Sequence, residues 1–189
     1  MSRKPIDAGT SDPVCVSTNK PSPDPVVIHY LEMNDPAEFR PKDGSAGLDI
    51  RECAIPLWQF NRFLYELVGA PWAWHEKLSW SDDRWREYVE DPALSTYVAY
   101  VDGTPAGYFE LQEQDGRMVE LAYFGLVEGF IGKGLGGALL SRAIATAWDK
   151  GAGKVWCHTC TLDHPHALDN YLARGMSLKR SETIPANPG

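Results

Sequence analysis

Gly129-Phe130-Ile131-Gly132-Lys133-Gly134-Leu135-Gly136-Gly137 is the stretch whose reading decides the fold. The strand-like run Met118–Leu126 precedes it. Leu140, Ile144, Ala147 and Trp148 follow at i, i+4, i+7 and i+8, a helical stripe that ends at Gly151. A strand, a glycine loop and a helix in succession make a cradle for an anion. Glycines let backbone N–H groups approach without a Cβ in the way, and the helix N-terminus adds about half a positive charge. The bland alternative, a glycine-rich turn that eases strand–helix packing, is disfavoured by what surrounds the loop.

Upstream, Thr96–Val101, Gly107–Gln112 and Met118–Leu126 read as three strands separated by Asp102-Gly103-Thr104-Pro105 and Gln114-Asp115-Gly116, an antiparallel meander. Val26–Leu31 is β-branched and aromatic and reads as an earlier strand. Pro56 is placed in the first turn of a helix carrying Leu57, Phe60, Leu64 and Leu67 and ending near Gly69. Ser81, followed by Asp82 and Asp83, is an N-cap for a short helix with Trp85, Tyr88 and Val89 on one face. Downstream come a strand at Lys154–Thr161, a short helix at Pro165–Ala173 and a last strand at Met176–Arg180. The order β, α, α, β, β, β, α, β, α, β has no internal repeat and predicts a single-domain mixed α/β sheet flanked by helices. The strand after the long helix should lie parallel to the strand before it.

The 189 residues suffice for one domain. Residues 1–24, with Pro5, Pro13, Pro21 and Pro23 among polar residues, read as a disordered tail, leaving 25–185 as the folded unit. A composition 43% hydrophobic and 11% aromatic predicts a packed core. The net charge of −8 repels phosphate backbones and anionic membranes, so neither nucleic acid nor membrane is an expected partner. No apolar run approaches the roughly 18 residues of a spanning helix. Arg3 and Lys4 run into Pro5, Asp7 and Gly9 rather than an apolar stretch, so a cytoplasmic location is expected. Cys15, Cys53, Cys157 and Cys160 form no disulfide framework. Cys157 and Cys160, three apart on a strand, point to opposite faces, and no metal is expected.

Three loop chemistries compete for the glycine segment. A P-loop requires Gly where Val127 stands and Ser or Thr where Gly134 stands, and fails twice. Gly132-x-Gly134-x-x-Gly137 meets the dinucleotide pattern, but the ribose-binding acid expected about 20 residues on is missing from 151–162. The third pattern, Q/R-x-x-G-x-G/A, is the coenzyme A pyrophosphate loop of the GCN5-related N-acetyltransferases, the GNAT family. Leu126–Leu140 resembles it closely, with Gly129 where the family normally has Gln or Arg. Ala167-x-x-x-Tyr171-x-x-x-Gly175-Met176 is similar to that family's late helix, with Met176 replacing an aromatic and His164 near the place of a common Asn. The resemblance covers about residues 95–180.

The resemblance implies transfer of an acetyl group from acetyl-CoA, as co-substrate, to a primary amine of a small molecule or peptide by direct attack. It implies Tyr171 as general acid toward the departing thiolate and Glu120 as general base, directly or through water. It places the thioester carbonyl on backbone amides around Phe124 and Leu126, and the pyrophosphate on Ile131, Gly132, Lys133, Gly134, Leu135, Gly136 and Gly137, with His164 a further coenzyme-binding candidate. Trp72 and Trp74, in the link between the first two helices, are the candidate acceptor-site aromatics, and Glu76, Asp82 and Asp83 the candidate acids for an amine. A non-catalytic acyl-CoA sensor and a dinucleotide-dependent oxidoreductase stand as alternatives, and a homodimer is left open.

Overall fold

Alternation of apolar residues along the middle of the chain builds the sheet. The computed structural model describes residues 24–42 and 47–186, so the expected tail lies outside the described residues except for Asp24. In chain order the elements are β1 (Val26–Met33), β2 (Asp49–Glu52), α1 (Trp58–Gly69), α2 (Asp82–Val89), β3 (Leu94–Val101), β4 (Thr104–Gln114), β5 (Met118–Leu126), α3 (Leu135–Asp149), β6 (Lys154–Cys160), α4 (Ala167–Ala173) and β7 (Ser177–Ile184). They form one seven-stranded sheet in the order β2-β3-β4-β5-β6-β1-β7. The expected mixed α/β architecture holds, as does the meander: β3 pairs β4, and β4 pairs β5, antiparallel. Asp102 and Gly103, at φ 48° and 77°, make the tight β3–β4 turn.

Successive β4 side chains go to opposite faces. Phe109 and Leu111 join Leu139, Leu140, Ile144 and Cys157 in the core under α3 and α4. Tyr108 joins Leu64, Tyr65, Trp74 and Trp85 in a second core under α1 and α2. A bulge in β5 breaks this regularity: Glu110 faces Tyr123 while Leu111 faces Leu121, which leaves Ala122 unpaired. Leu121 therefore packs toward α3 and Tyr123 toward α1, although they are two residues apart.

After the α3 crossover β6 runs parallel to β5, as expected, but only Met118, Val119 and Glu120 are in register, with Lys154, Val155 and Trp156. Beyond Glu120 the two strands diverge, and that divergence positions the site.

Three sequence expectations need correction. β2, Asp49-Ile50-Arg51-Glu52, was not foreseen, because a short, charged, mostly exposed edge strand lacks an apolar alternation. Pro56 lies before α1, whose N-cap is Leu57. The buried stripe of α1 is Asn61, Leu64, Tyr65 and Val68, while Leu57 is exposed and Phe60 and Leu67 are half-buried. The stripe is rotated because Asn61 turns inward to Glu110. Ser81 caps α2 as expected, accepting a 3.3 Å hydrogen bond from the Arg84 amide.

Candidate active site

The parting of β5 and β6 opens a cavity of about 520 Å³. Its walls are the C-terminal half of β5, the glycine loop and start of α3, the inner face of α4, the end of β6 with the loop after it, and Trp72 and Trp74. Among the described residues, the edge of β5 that faces β6 has no strand partner beyond Glu120, leaving extended backbone polar groups along one wall.

The glycine loop meets this cavity as a helix N-terminus. Gly132 and Gly134 adopt φ of 80° and 79°, in the left-handed region that side chains avoid, and Gly134 is the N-cap of α3. No side chain among the described residues caps it, and the first turn carries no acid, so the leading amides of a 15-residue helix are directed outward. Ile131, Gly132, Gly134, Gly136 and Gly137 line the cavity. Lys133 and Leu135 stand back from it, the Lys133 ammonium lying 5.0 Å from the Phe130 ring centre. A Cβ on Gly137 would run into Arg174 Nη1 and lie 2.6 Å from Lys42 Cδ. Lys42 Nζ also donates to the Gly134 carbonyl at 3.4 Å, and Asn170 Nδ2 to the Gly136 carbonyl at 3.4 Å. Lys42, Asn170 and Arg174 were missed by sequence reasoning. The i, i+4 spacing of Asn170 and Arg174 was the available signal.

Phe124, Leu126, Tyr171 and His164 all line the cavity. Tyr171 is 6% exposed, and its ring meets that of Phe124 edge-on at 6.0 Å. The His164 ring stands 5.2 Å from Trp72 and 5.4 Å from His166. Trp74 is almost buried and touches Tyr65 and Tyr123, so it closes the pocket from behind while Trp72 stands at its side.

Glu120 lies below the cavity rather than on its wall. It is 3% exposed, accepts from Gln114 Nε2 at 2.9 Å, and faces His158 Nδ1 at 3.6 Å. Gln114 in turn accepts from Trp156 Nε1 at 3.0 Å. His158 does line the cavity. Nearby, Asp163 accepts from Thr159 Oγ1 at 2.7 Å and from the Cys160 amide at 2.9 Å, bracing the loop after β6. Cys157 and Cys160 face different cores, and burial pushes the Cys157 thiol well above its ordinary range. Among the described residues no group of three or more His, Cys, Asp or Glu could hold a metal ion.

Of the candidate acids, Asp82 and Asp83 are exposed on α2 and absent from the cavity wall, and Asp83 pairs with Arg86. Their place in the first turn of α2 is that of acids favouring the helix dipole. Burial, with Asp163 adding to it, pushes Glu76 up to about 8 against the opposing pull of Lys77. Lys77 is itself 4% exposed, 3.4 Å from the Tyr88 ring centre, 3.9 Å from that of Tyr123 and 3.8 Å from Glu110 Oε2. Burial pulls it down to about 7. Glu110 also accepts from Asn61 Nδ2 and from the Tyr88 hydroxyl.

The profile of the acetyltransferase (GNAT) family matches residues 60–176. Uncharacterised N-acetyltransferases of Mycobacterium bovis and Mycobacterium tuberculosis are 41% identical over 76 residues, 40% of this chain and 49% of theirs, so the chain spans about half the length of these curated relatives. A GNAT-family protein from Novosphingobium aromaticivorans shares the fold at a TM-score of 0.59 and 18% identity, over 87% of this chain and 67% of that one. A GCN5-related N-acetyltransferase from Kribbella flavida does so at 0.62 and 16%, over 88% and 61%. An aminoglycoside acetyltransferase from an uncultured soil metagenomic sample does so at 0.57 and 16%, over 69% and 88%. No helix among the described residues is long and apolar enough to cross a membrane. The left-handed glycine loop, the uncapped α3 N-terminus, the diverging strands and the match over residues 60–176 agree, and the chain belongs to the GNAT family of acetyltransferases.

Proposed function

We propose that the protein transfers an acetyl group from acetyl-CoA to a primary amine of a small molecule or peptide by direct attack. The observation that carries this reading is one cavity joining the uncapped α3 N-terminus to the parted β5–β6 edges, with Tyr171 on its wall. When bound, acetyl-CoA supplies a thioester carbonyl carbon open to attack. The α3 amides and the Gly132–Gly137 backbone hold its pyrophosphate, and Lys42 and Arg174, crossing over Gly137, add positive charge there. Backbone amides of β5 near Phe124 and Leu126 receive the carbonyl oxygen. The Tyr171 hydroxyl gives a proton to the departing sulfur, and Glu120 stands at the base end of the site. The acceptor enters past Trp72 toward a back wall of Trp74 and Tyr123, aromatic surface suited to the stem of an amine.

The test is thiol release from acetyl-CoA with phenethylamine, cadaverine, sisomicin and a peptide with a free N-terminus. Sisomicin is included because a structural neighbour, the soil-metagenome aminoglycoside acetyltransferase, was solved with it. Amine-dependent thiol release with formation of the N-acetyl product supports the reading, as does thermal protection by acetyl-CoA and not by NADH. Coenzyme binding without transfer to any amine would leave an acyl-CoA sensor instead.

A further inference from the structure

We infer that His158 is the catalytic group that takes the proton from the incoming amine, and that Glu120 is a positioning residue acting through it. The inference rests on the acyl-transfer reading and refines its base end. Glu120 does not line the cavity and is 3% exposed, with one carboxylate oxygen engaged by Gln114 and the other facing His158 Nδ1. His158 does line the cavity, and its side chain is only 4% exposed.

The register explains the arrangement. Glu120 pairs with Trp156 at the last in-register position of the parallel ladder. His158, two residues on, falls on the same face of β6, where the strands have begun to part. It therefore reaches the opening while Glu120 stays beneath it. The rings of Trp156 and Tyr30 flank the imidazole, with centroids at 6.3 and 6.1 Å.

With Nδ1 turned to a carboxylate, the neutral ring keeps its N–H there and carries its lone pair on Nε2, at the other side of the ring. The 3.6 Å separation is ion-pair range, longer than a direct hydrogen bond, as contacts of this kind commonly are before substrate is bound. The proton balance is complete. An ammonium acceptor gives one proton to His158 Nε2, from which it passes to solvent. The neutral nitrogen then forms the N–C bond as the C–S bond breaks, and its second proton is matched by the one the thiolate receives through Tyr171.

The titratable groups around the ring are Glu120 of β5, Tyr30 of β1, and Asp163 and His164 in the loop that shares the cavity wall. Lys77 also feels the Glu120 charge. Removing that carboxylate takes away the group that favours the Nδ1–H form, so fewer rings present Nε2 as the acceptor in Glu120→Gln.

Two measurements on the full-length protein test this. In long-range proton–nitrogen spectra of histidine-labelled protein, His158, assigned by its loss in His158→Gln, should show a protonated Nδ1 and a bare Nε2. This bias should weaken in Glu120→Gln. In the acetyl-transfer assay with the best amine of the panel, His158→Gln should lower kcat by about 10²-fold, the scale of one general base. Glu120→Gln should lower kcat by less than His158→Gln does, and Glu120→Asp should restore part of the loss. Wild-type protein with His158 protonated on Nε2, His158→Gln within threefold of wild type, or an unchanged Nδ1–H bias in Glu120→Gln overturns the relay while leaving acyl transfer intact. Wild-type protein that acetylates no amine overturns the acyl-transfer reading and the relay with it.

Discussion

Lys77→Met removes a buried ammonium from beneath the acceptor wall, and its effect on stability follows from the geometry. Lys77 is enclosed by Tyr65, Trp80, Trp85, Tyr88 and Tyr123, with Glu110 as its charge partner. Burial lowers it from 10.5 to about 7, so the aromatic box and the Glu110 attraction together fall short of replacing lost hydration. The folded chain then holds fewer protons than the unfolded chain between about 7 and the ordinary lysine value. Because stability rises with pH wherever the unfolded state binds more protons, wild type should gain stability across that window. At about 1.4 kcal/mol per pH unit, with the slope reduced near the folded value, the gain from pH 7 to pH 9 is about 2 kcal/mol. Glu76, raised to about 8, acts with the opposite sign: its contribution is present at low pH and lost as pH rises through that value. Cys53 and Cys157, raised by burial, also oppose the gain once free thiols ionise. The wild-type curve alone is therefore a mixture, and the difference from Lys77→Met reports the lysine together with its pull on Glu76, which adds in the same direction. Met keeps the aliphatic stem, and Glu110 keeps Asn61 and Tyr88 as donors. Urea unfolding of both proteins at pH 7, 8 and 9 should show wild type gaining on the variant by about 2 kcal/mol. Parallel curves would refute the reasoning.

Three further outcomes follow from the site and the cores. Gly134→Glu puts a side chain at φ 79° and a carboxylate where the α3 dipole receives an anion, and acetyl-CoA affinity by calorimetry should fall more than about tenfold. Unchanged affinity in a folded variant would remove this loop from coenzyme binding. Tyr171→Phe keeps the ring against Phe124 and deletes the hydroxyl, so kcat should drop by about 10²-fold while coenzyme affinity and thermal stability survive. Trp85→Ala, at a fully buried position between Tyr65 and Trp80, should destabilise by about 3–5 kcal/mol in denaturant unfolding, and a loss under 1 kcal/mol would contradict its place in the core.

What the sequence determined by itself was local. The alternation in β3, β4 and β5, the Asp102-Gly103 turn, the Ser81 cap and the strand–glycine–helix unit around Gly132 all depend on neighbours within a few residues. Periodicity and turn chemistry therefore expose them. The resemblance of the glycine loop carried the family for the same reason, since its positive-φ glycines at 132 and 134 are legible in the local sequence. Tertiary structure decided the rest, because the groups involved are distant in sequence. Lys77 is enclosed by Glu110 and aromatic rings that come from distant parts of the chain. The Ala122 bulge, which turns Tyr123 toward α1, is visible only in the pairing with β4. Lys42 and Arg174 meet over Gly137 from opposite ends of the chain. Whether Glu120 or His158 reaches the cavity depends on where β5 and β6 stop pairing, and no single strand encodes the point at which two strands part.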